Sequence, residues 1–183
     1  QGQIMGDIKA HPKHSHHLSH ECVRHRFRTA VSQRSTRYVA EEESPWVDHP
    51  LVQEFLADGD VPDSVKGPLK ERGDAVKGRA RDAYGATVSE LQGWLISRGV
   101  DKLTARKQAR GAARGYLGNA LHTELVFSAS VAQWKRMLRL RCSDAAAGEI
   151  RAVFAEALGE LKRSRYAAAF EAFELQPSPD GIG

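Results

Sequence analysis

The chain reads as a helix-dominated α+β fold, and three observations predict it. Apolar residues recur at helical spacing through most of residues 68 to 162. One short run, LHTELVFS (Leu121 to Ser128), has the β-branched and aromatic content of a strand. A loop signal, EEESPWVDHP (residues 41 to 50), stands ahead of these stretches. With 183 residues, 41% of them hydrophobic, the chain can bury the core of one compact domain but not comfortably of two.

From about Pro68 to Arg98, the residues Leu69, Val76, Ala80, Ala83, Tyr84, Val88, Leu91 and Leu95 share a helical face. Pro68 is placed as a first helical residue and Gly99 as a stop. Gly73, Gly78, Gly85 and Gly93 work against this helix, each by about 1 kcal/mol relative to alanine. Asp101 to Tyr116 predicts a second helix with Asp101 as its cap. Val131 to Arg141 predicts an amphipathic helix that buries Trp134, Met137 and Leu138. Ala145 to Lys162 predicts another, burying Ile150, Val153, Phe154, Ala157, Leu158 and Leu161, and residues 163 to 175 add a short last helix. A short helical pattern leads into Arg24-His25-Arg26, a polar segment continues to Tyr38, and residues 41 to 50 (EEESPWVDHP) read as a loop. The organisation expected is a His-rich arm over residues 1 to 20, a single domain over 21 to 175, and a flexible tail over 176 to 183.

No apolar run approaches a membrane span and no signal-peptide pattern opens the sequence, so a soluble protein without membrane partners is expected. Cys22 and Cys142 are distant and belong to no C-x-x-C pair, which points to a reducing cytoplasm rather than a disulfide scaffold. The histidines at 11, 14, 16, 17 and 20 lack a carboxylate or cysteine partner at ligand spacing, and no metal site is expected from them. A net charge of +4 and a pI near 9.2 favour anionic partners. Between Asp101 and Arg141 stand nine Lys or Arg against two acidic residues, Asp101 and Glu124. Such a stretch is either a solvated basic face or a phosphate-binding region. A nucleic-acid-binding module is the weaker reading, since no helix-turn-helix, zinc-finger or aromatic RNA-binding signature accompanies the charge.

Two stretches carry a resemblance. The first, HECVRHRFRTAVSQRSTRYV (His20 to Val39), holds Arg24-His25-Arg26, a spacer of eight residues, then Ser35, Thr36, Arg37 and Tyr38. The second runs from Lys107 to Arg151: an Ala-Arg pair before a turn, a Thr-led strand, a helix ending in Leu-Arg, then a helix with Glu-Ile. In this order they resemble the flavin-dependent thymidylate synthase (ThyX) family, over about Ser19 to Phe173. The resemblance implies a helix-rich fold with a small central sheet, assembled as a homotetramer whose active sites are shared among copies. It implies FAD as cofactor, methylenetetrahydrofolate and NADPH as co-substrates, and dUMP as substrate, or UMP as in an offshoot of the family. Arg141 would be the catalytic residue, set against the uracil ring. Glu21, Arg24, Gln33, Arg34, Ser35, Thr36, Arg37 and Arg114 would join it in binding the nucleotide. Arg24, His25, Arg26, Ser130, Ala132 and Arg136 would contact the flavin.

The chemistry suits these residue types. Uracil C5 is a poor nucleophile, and neither cysteine stands in a recognisable nucleophile signature. A guanidinium against the N3 and O2 or O4 edge stabilises an enolate-like anion and pushes electron density to C5, because it stays charged and presents a planar fork of donors. Plainer roles stand beside these: Arg141 as a helix C-terminal cation, Ser35 and Arg37 as solvated surface, Arg24 and Arg26 paired with Glu41, Glu42 or Glu43. The chain also departs from the family. Its spacer is one residue longer than the commonest form, Gly118 replaces a turn proline, and Ser130 and Ala132 replace polar or charged flavin contacts. Ala145 and Ala147 stand where His-Ala-Gln is frequent. These changes keep open a non-catalytic nucleotide-binding relative.

Overall fold

The computed structural model describes residues 3–6, as backbone, and residues 15–174. His11, His14 and the expected tail over 176 to 183 lie outside the described residues. The expected domain span falls into two compact units, Gln1–Gln33 with Thr123–Gly183, and Arg34–His122.

Strand β3 (Leu125–Ser130) organises the first unit. Leu125, Phe127 and Ala129 are buried while Val126 is exposed, the two-residue alternation of a strand with one covered face. It is the middle strand of a three-stranded antiparallel sheet, flanked by β1 (Gln3–Gly6) and β2 (Thr29–Gln33), with Val31 opposite Phe127 and Gln3 opposite Ser130. The strand expected at Leu121 to Ser128 therefore starts four residues later. Leu121 instead bridges to Trp46, and the His122 N–H donates to the Pro45 carbonyl at 2.9 Å, which binds those residues into the second unit. Strand β2 was expected only as polar segment, because its sequence TAVSQ buries nothing fully.

Helix α1 (His16–Cys22) precedes β2, so the expected arm over residues 1 to 20 includes His16, His17 and His20 in ordered helix. Helices α5 (Val131–Arg141), α6 (Gly148–Arg163) and α7 (Ala167–Phe170) follow β3. Trp134, Met137 and Leu138 are buried as the periodicity predicts, as are the six residues expected of α6. The Trp134 ring lies between Phe127 (5.7 Å between centroids) and Phe154 (6.1 Å), joining sheet to helices at the centre of the core.

In the second unit, α2 (Pro50–Ala57) starts on a proline with the His49 ring accepting from the Leu51 N–H, an arrangement the loop-like sequence concealed. Helix α3 (Asp63–Ser97) is 35 residues long and begins five residues before Pro68, which sits inside it rather than at its start. Of the expected apolar face only Tyr84 and Val88 are buried, and Val76 is 65% exposed. Helix α4 (Lys102–Ala113) is capped by the Asp101 carboxylate, which accepts from Leu103 and Thr104 N–H at 3.0 Å each. Ala105, Ala109 and Ala113 recur every fourth residue and are wholly buried, so α4 lies close along α3. A 3-10 turn (Arg114–Tyr116) ends it. Among the described residues no helix is long and apolar enough to cross a membrane.

Two substitutions separate the two kinds of apolar residue. Trp134→Ala will lower the unfolding free energy by about 3–5 kcal/mol in urea titrations. Val76→Ala will change it by less than about 0.5 kcal/mol, as for exposed positions generally.

Candidate functional site

In the first unit the sequence places chemistry at the end of α1. Ser15 caps this helix, its hydroxyl accepting from the Leu18 N–H at 3.3 Å. The chain then turns: Arg24 N–H donates to the Glu21 carbonyl at 3.3 Å and His25 N–H to the Cys22 carbonyl at 3.2 Å. The Thr29 hydroxyl closes the loop onto the His25 carbonyl. Arg28 takes a left-handed backbone (φ 51), a conformation costing a side-chain-bearing residue roughly 1–2 kcal/mol.

Arg141, the last residue of α5, reaches this turn. Its Nε donates to His25 Nε2 at 2.8 Å and its Nη1 donates to Glu21 Oε2 at 2.9 Å. The guanidinium is thus held by side chains of α1 and its loop, and it also stands as a cation in the last turn of its own helix. Glu21 Oε1 also lies 3.6 Å from His17. Burial, then Arg141 and Arg136, push the His25 ring down to about 4. His25 is therefore neutral at physiological pH, with its proton on Nδ1, because Nε2 accepts from Arg141. Burial pushes the Cys22 thiol up to about 12, against the lowering influence of Arg141, and burial raises Cys142 as well. Neither thiol is activated as a nucleophile.

The residues expected on the flavin side are more open. Arg24 and Arg26 are exposed and carry no ion pair among the described residues. Between them and β2, Phe27 is 65% exposed with the Arg28 guanidinium 5.2 Å from its ring. Ser130 caps α5, accepting from the Gln133 N–H at 3.3 Å, and Ala132 and Arg136 are exposed on the following turns. Exposed Arg24 and Arg26, followed in sequence by the exposed Phe27, suit a ligand that carries phosphates and a flat ring, as a flavin dinucleotide does.

Gln33 ends β2, and its amide nitrogen faces Ser19 Oγ (3.0 Å), Thr123 Oγ1 (3.0 Å) and His16 Nδ1 (3.3 Å). It is anchored within the first unit. In the second unit Arg34 is anchored likewise, on Ser44 Oγ (3.1 Å) and the buried Glu41 carboxylate (3.7 Å). Ser35, Thr36 and Arg37 form a turn, with Tyr38 and Val39 N–H donating to the Ser35 carbonyl and Arg37 N–H to its hydroxyl. Helix α4 holds this turn. Arg110 Nη1 donates to the Tyr38 carbonyl at 2.9 Å, Lys107 Nζ sits 4.9 Å from the Tyr38 ring, and the Arg37 stem lies over Gly111. Arg114 is exposed one turn further on. The Gly118 departure also has a cause, since a Cβ there would come within 3.1 Å of the Trp46 ring.

Of the residues expected at a site, Glu21, His25 and Arg141 meet directly, while Ser35, Thr36 and Arg37 form a turn whose Arg37 stem lies over Gly111 of the helix that leads to Arg114. Sequence reasoning missed the acceptor role of His25 and the docking roles of Lys107 and Arg110. Lys107 and Arg110 were visible only as members of a basic stretch.

Residues 5–164 match the family described as thymidylate synthase complementing protein. The flavin-dependent thymidylate synthases of Mycobacterium bovis (strain BCG / Pasteur 1173P2) and Mycobacterium tuberculosis (strain ATCC 25177 / H37Ra) are each 35% identical over 170 residues, 91% of this chain and 61% of theirs. That of Mycobacterium sp. (strain KMS) is 34% identical over the same length, 62% of its own chain. The chain thus spans about three fifths of the length of these relatives.

The His25 environment predicts a pH dependence of stability. The unfolded ring takes its proton near 6.5 and the folded ring only near 4. Between these values the unfolded chain binds more protons, so stability falls as the pH drops from 6.5 towards 4 and is complete above 6.5. In urea titrations across that window, His25→Gln will lose part of the slope shown by the wild type. Identical slopes would mean the ring is not held neutral.

Proposed function

The chain belongs to the thymidylate synthase complementing protein family, and from that premise we propose that it is a flavin-dependent enzyme methylating C5 of a uracil nucleotide, dUMP or UMP. In this reaction methylenetetrahydrofolate gives the carbon, NADPH gives two electrons, and the C5 hydrogen leaves as a proton. The products are the 5-methyl nucleotide, tetrahydrofolate and NADP+. FAD, when bound, supplies the redox chemistry that links NADPH to the transferred carbon. Arg24, His25, Arg26, Ser130, Ala132 and Arg136 are the residues that would hold it.

The observation that carries the reading is the setting of Arg141. Its Nε and one Nη1 hydrogen are committed to His25 and Glu21, which fixes the plane of the guanidinium. The remaining Nη hydrogens are the ones to oppose a pyrimidine edge, where they stabilise the ring anion as C5 attacks. A neutral His25 is part of this arrangement, because an imidazolium would turn an N–H against the Arg141 Nε–H. The raised Cys22 thiol agrees with activation that needs no sulfur addition to the ring.

For the phosphate, the second unit offers Ser35, Thr36, Arg37 and Arg114, a hydroxyl-bearing turn and two exposed guanidiniums. Taken separately, the first unit offers Glu21, Arg24 and Gln33 for the nucleotide, and the second unit also offers Arg34. In a homotetramer with active sites shared among copies, sets from different copies can serve one nucleotide.

Tritium release from C5 of dUMP and of UMP, with methylenetetrahydrofolate and NADPH present, will show turnover of at least one nucleotide. Arg141→Ala will lower it roughly 100- to 1,000-fold while the protein stays folded. Retained turnover would remove Arg141 from the chemistry. Purified protein will show visible flavin absorbance, and a colourless protein that takes up no added FAD would sink the proposal.

A further inference from the structure

Resting on that reading, we infer that Glu149 is a positioning residue for Arg141, acting through Ser15 and helix α1. Glu149 is the second residue of α6 and is only 6% exposed. Both its oxygens are used on one residue: Oε1 accepts from the Ser15 main-chain N–H and Oε2 from the Ser15 hydroxyl, each at 2.8 Å. A carboxylate so far out of water needs hydrogen-bond donors, and Ser15 supplies both. Ser15 in turn caps α1 through Leu18. That helix has seven residues, too few to persist by propensity, so its place is set by what it touches. Leu18 and Cys22 fix it laterally in the core, and the Glu149 clamp fixes its start. Six residues beyond Ser15, Glu21 holds Arg141. The route runs from α6 through Glu149, Ser15 and α1 to the guanidinium on α5, and neither Glu149 nor Ser15 touches that guanidinium.

The alternative is that Glu149 merely stabilises the fold, and the experiment separates the two. Glu149→Ala and Ser15→Ala are compared with Leu161→Ala, a core truncation on α6 about 18 Å along the helix from Glu149. The first readout is the 15N resonance pattern of the His25 imidazole, which reports whether Nε2 accepts a hydrogen bond. The second is tritium release as a function of nucleotide concentration. Glu149→Ala will lose the His25 signature and lower kcat roughly 10- to 100-fold, with KM changed less than about threefold. Ser15→Ala, which keeps the main-chain bond, will shift both in the same direction by less, and Leu161→Ala will leave both unchanged below its melting temperature. Folded Glu149→Ala protein with the wild-type signature and kcat overturns the inference, as does an equal loss in Leu161→Ala. Should Glu149→Ala not fold, Ser15→Ala decides by the same two readouts. If the wild type releases no tritium, the proposed reaction fails, while the His25 signature still decides the positioning role.

Discussion

A guanidinium keeps its charge wherever the chain puts it, so one that is taken largely out of water must find acceptors there. Arg141 has 19% of its side-chain surface exposed, and the first unit is arranged around that demand. Glu21 supplies the opposing charge and His25 a neutral lone pair, and both come from the segment that closes over the end of α5. The constraint spreads outward from there. His25 must stay unprotonated, Cys22 beside it stays a thiol, and α1 must begin where Ser15 can cap it. Removing one partner would leave a buried ion poorly satisfied, which costs more than the pair itself contributes.

The second unit solves a different problem. Its basic residues divide by what they touch. Arg34, Lys107 and Arg110 face inward, onto Glu41 and Ser44, the Tyr38 ring and the Tyr38 carbonyl, and so give the Ser35–Tyr38 turn a fixed seat on α4. Arg37 and Arg114 keep their ends in solvent. A basic stretch that looks uniform in sequence is therefore partly scaffold and partly surface available to an anion.

How much of this was legible follows from where the burial lies. Helices α5 and α6 place every core residue at helical spacing, so periodicity located both, and the Asp101 cap was readable from one residue. Strand β2 buries nothing fully and α2 hides no side chain completely, so neither leaves a pattern to read. Helix α3 misled in the opposite sense: Val76 and its neighbours keep the spacing without the burial, and the true start lies five residues before Pro68. The Arg141 partners were named as site residues from family resemblance, but their mutual contact joins positions 116 and 120 residues apart, which no local pattern encodes. Glu149 appeared only as half of a Glu-Ile pair, since a first-turn acid usually signals nothing beyond the helix dipole.

The loop after α1 carries Arg24, Arg26 and Arg28 within five residues, all exposed, and no carboxylate answers them among the described residues. Like charges so crowded repel one another, and that repulsion reaches about 10 Å in 0.1 M salt and three times as far in 0.01 M. Dilute buffer will therefore loosen this loop, and dissolved counterions will quiet it. The same mutual repulsion means that a multivalent anion seated there gains more than its own contacts, because it also offsets the repulsion among the three arginines.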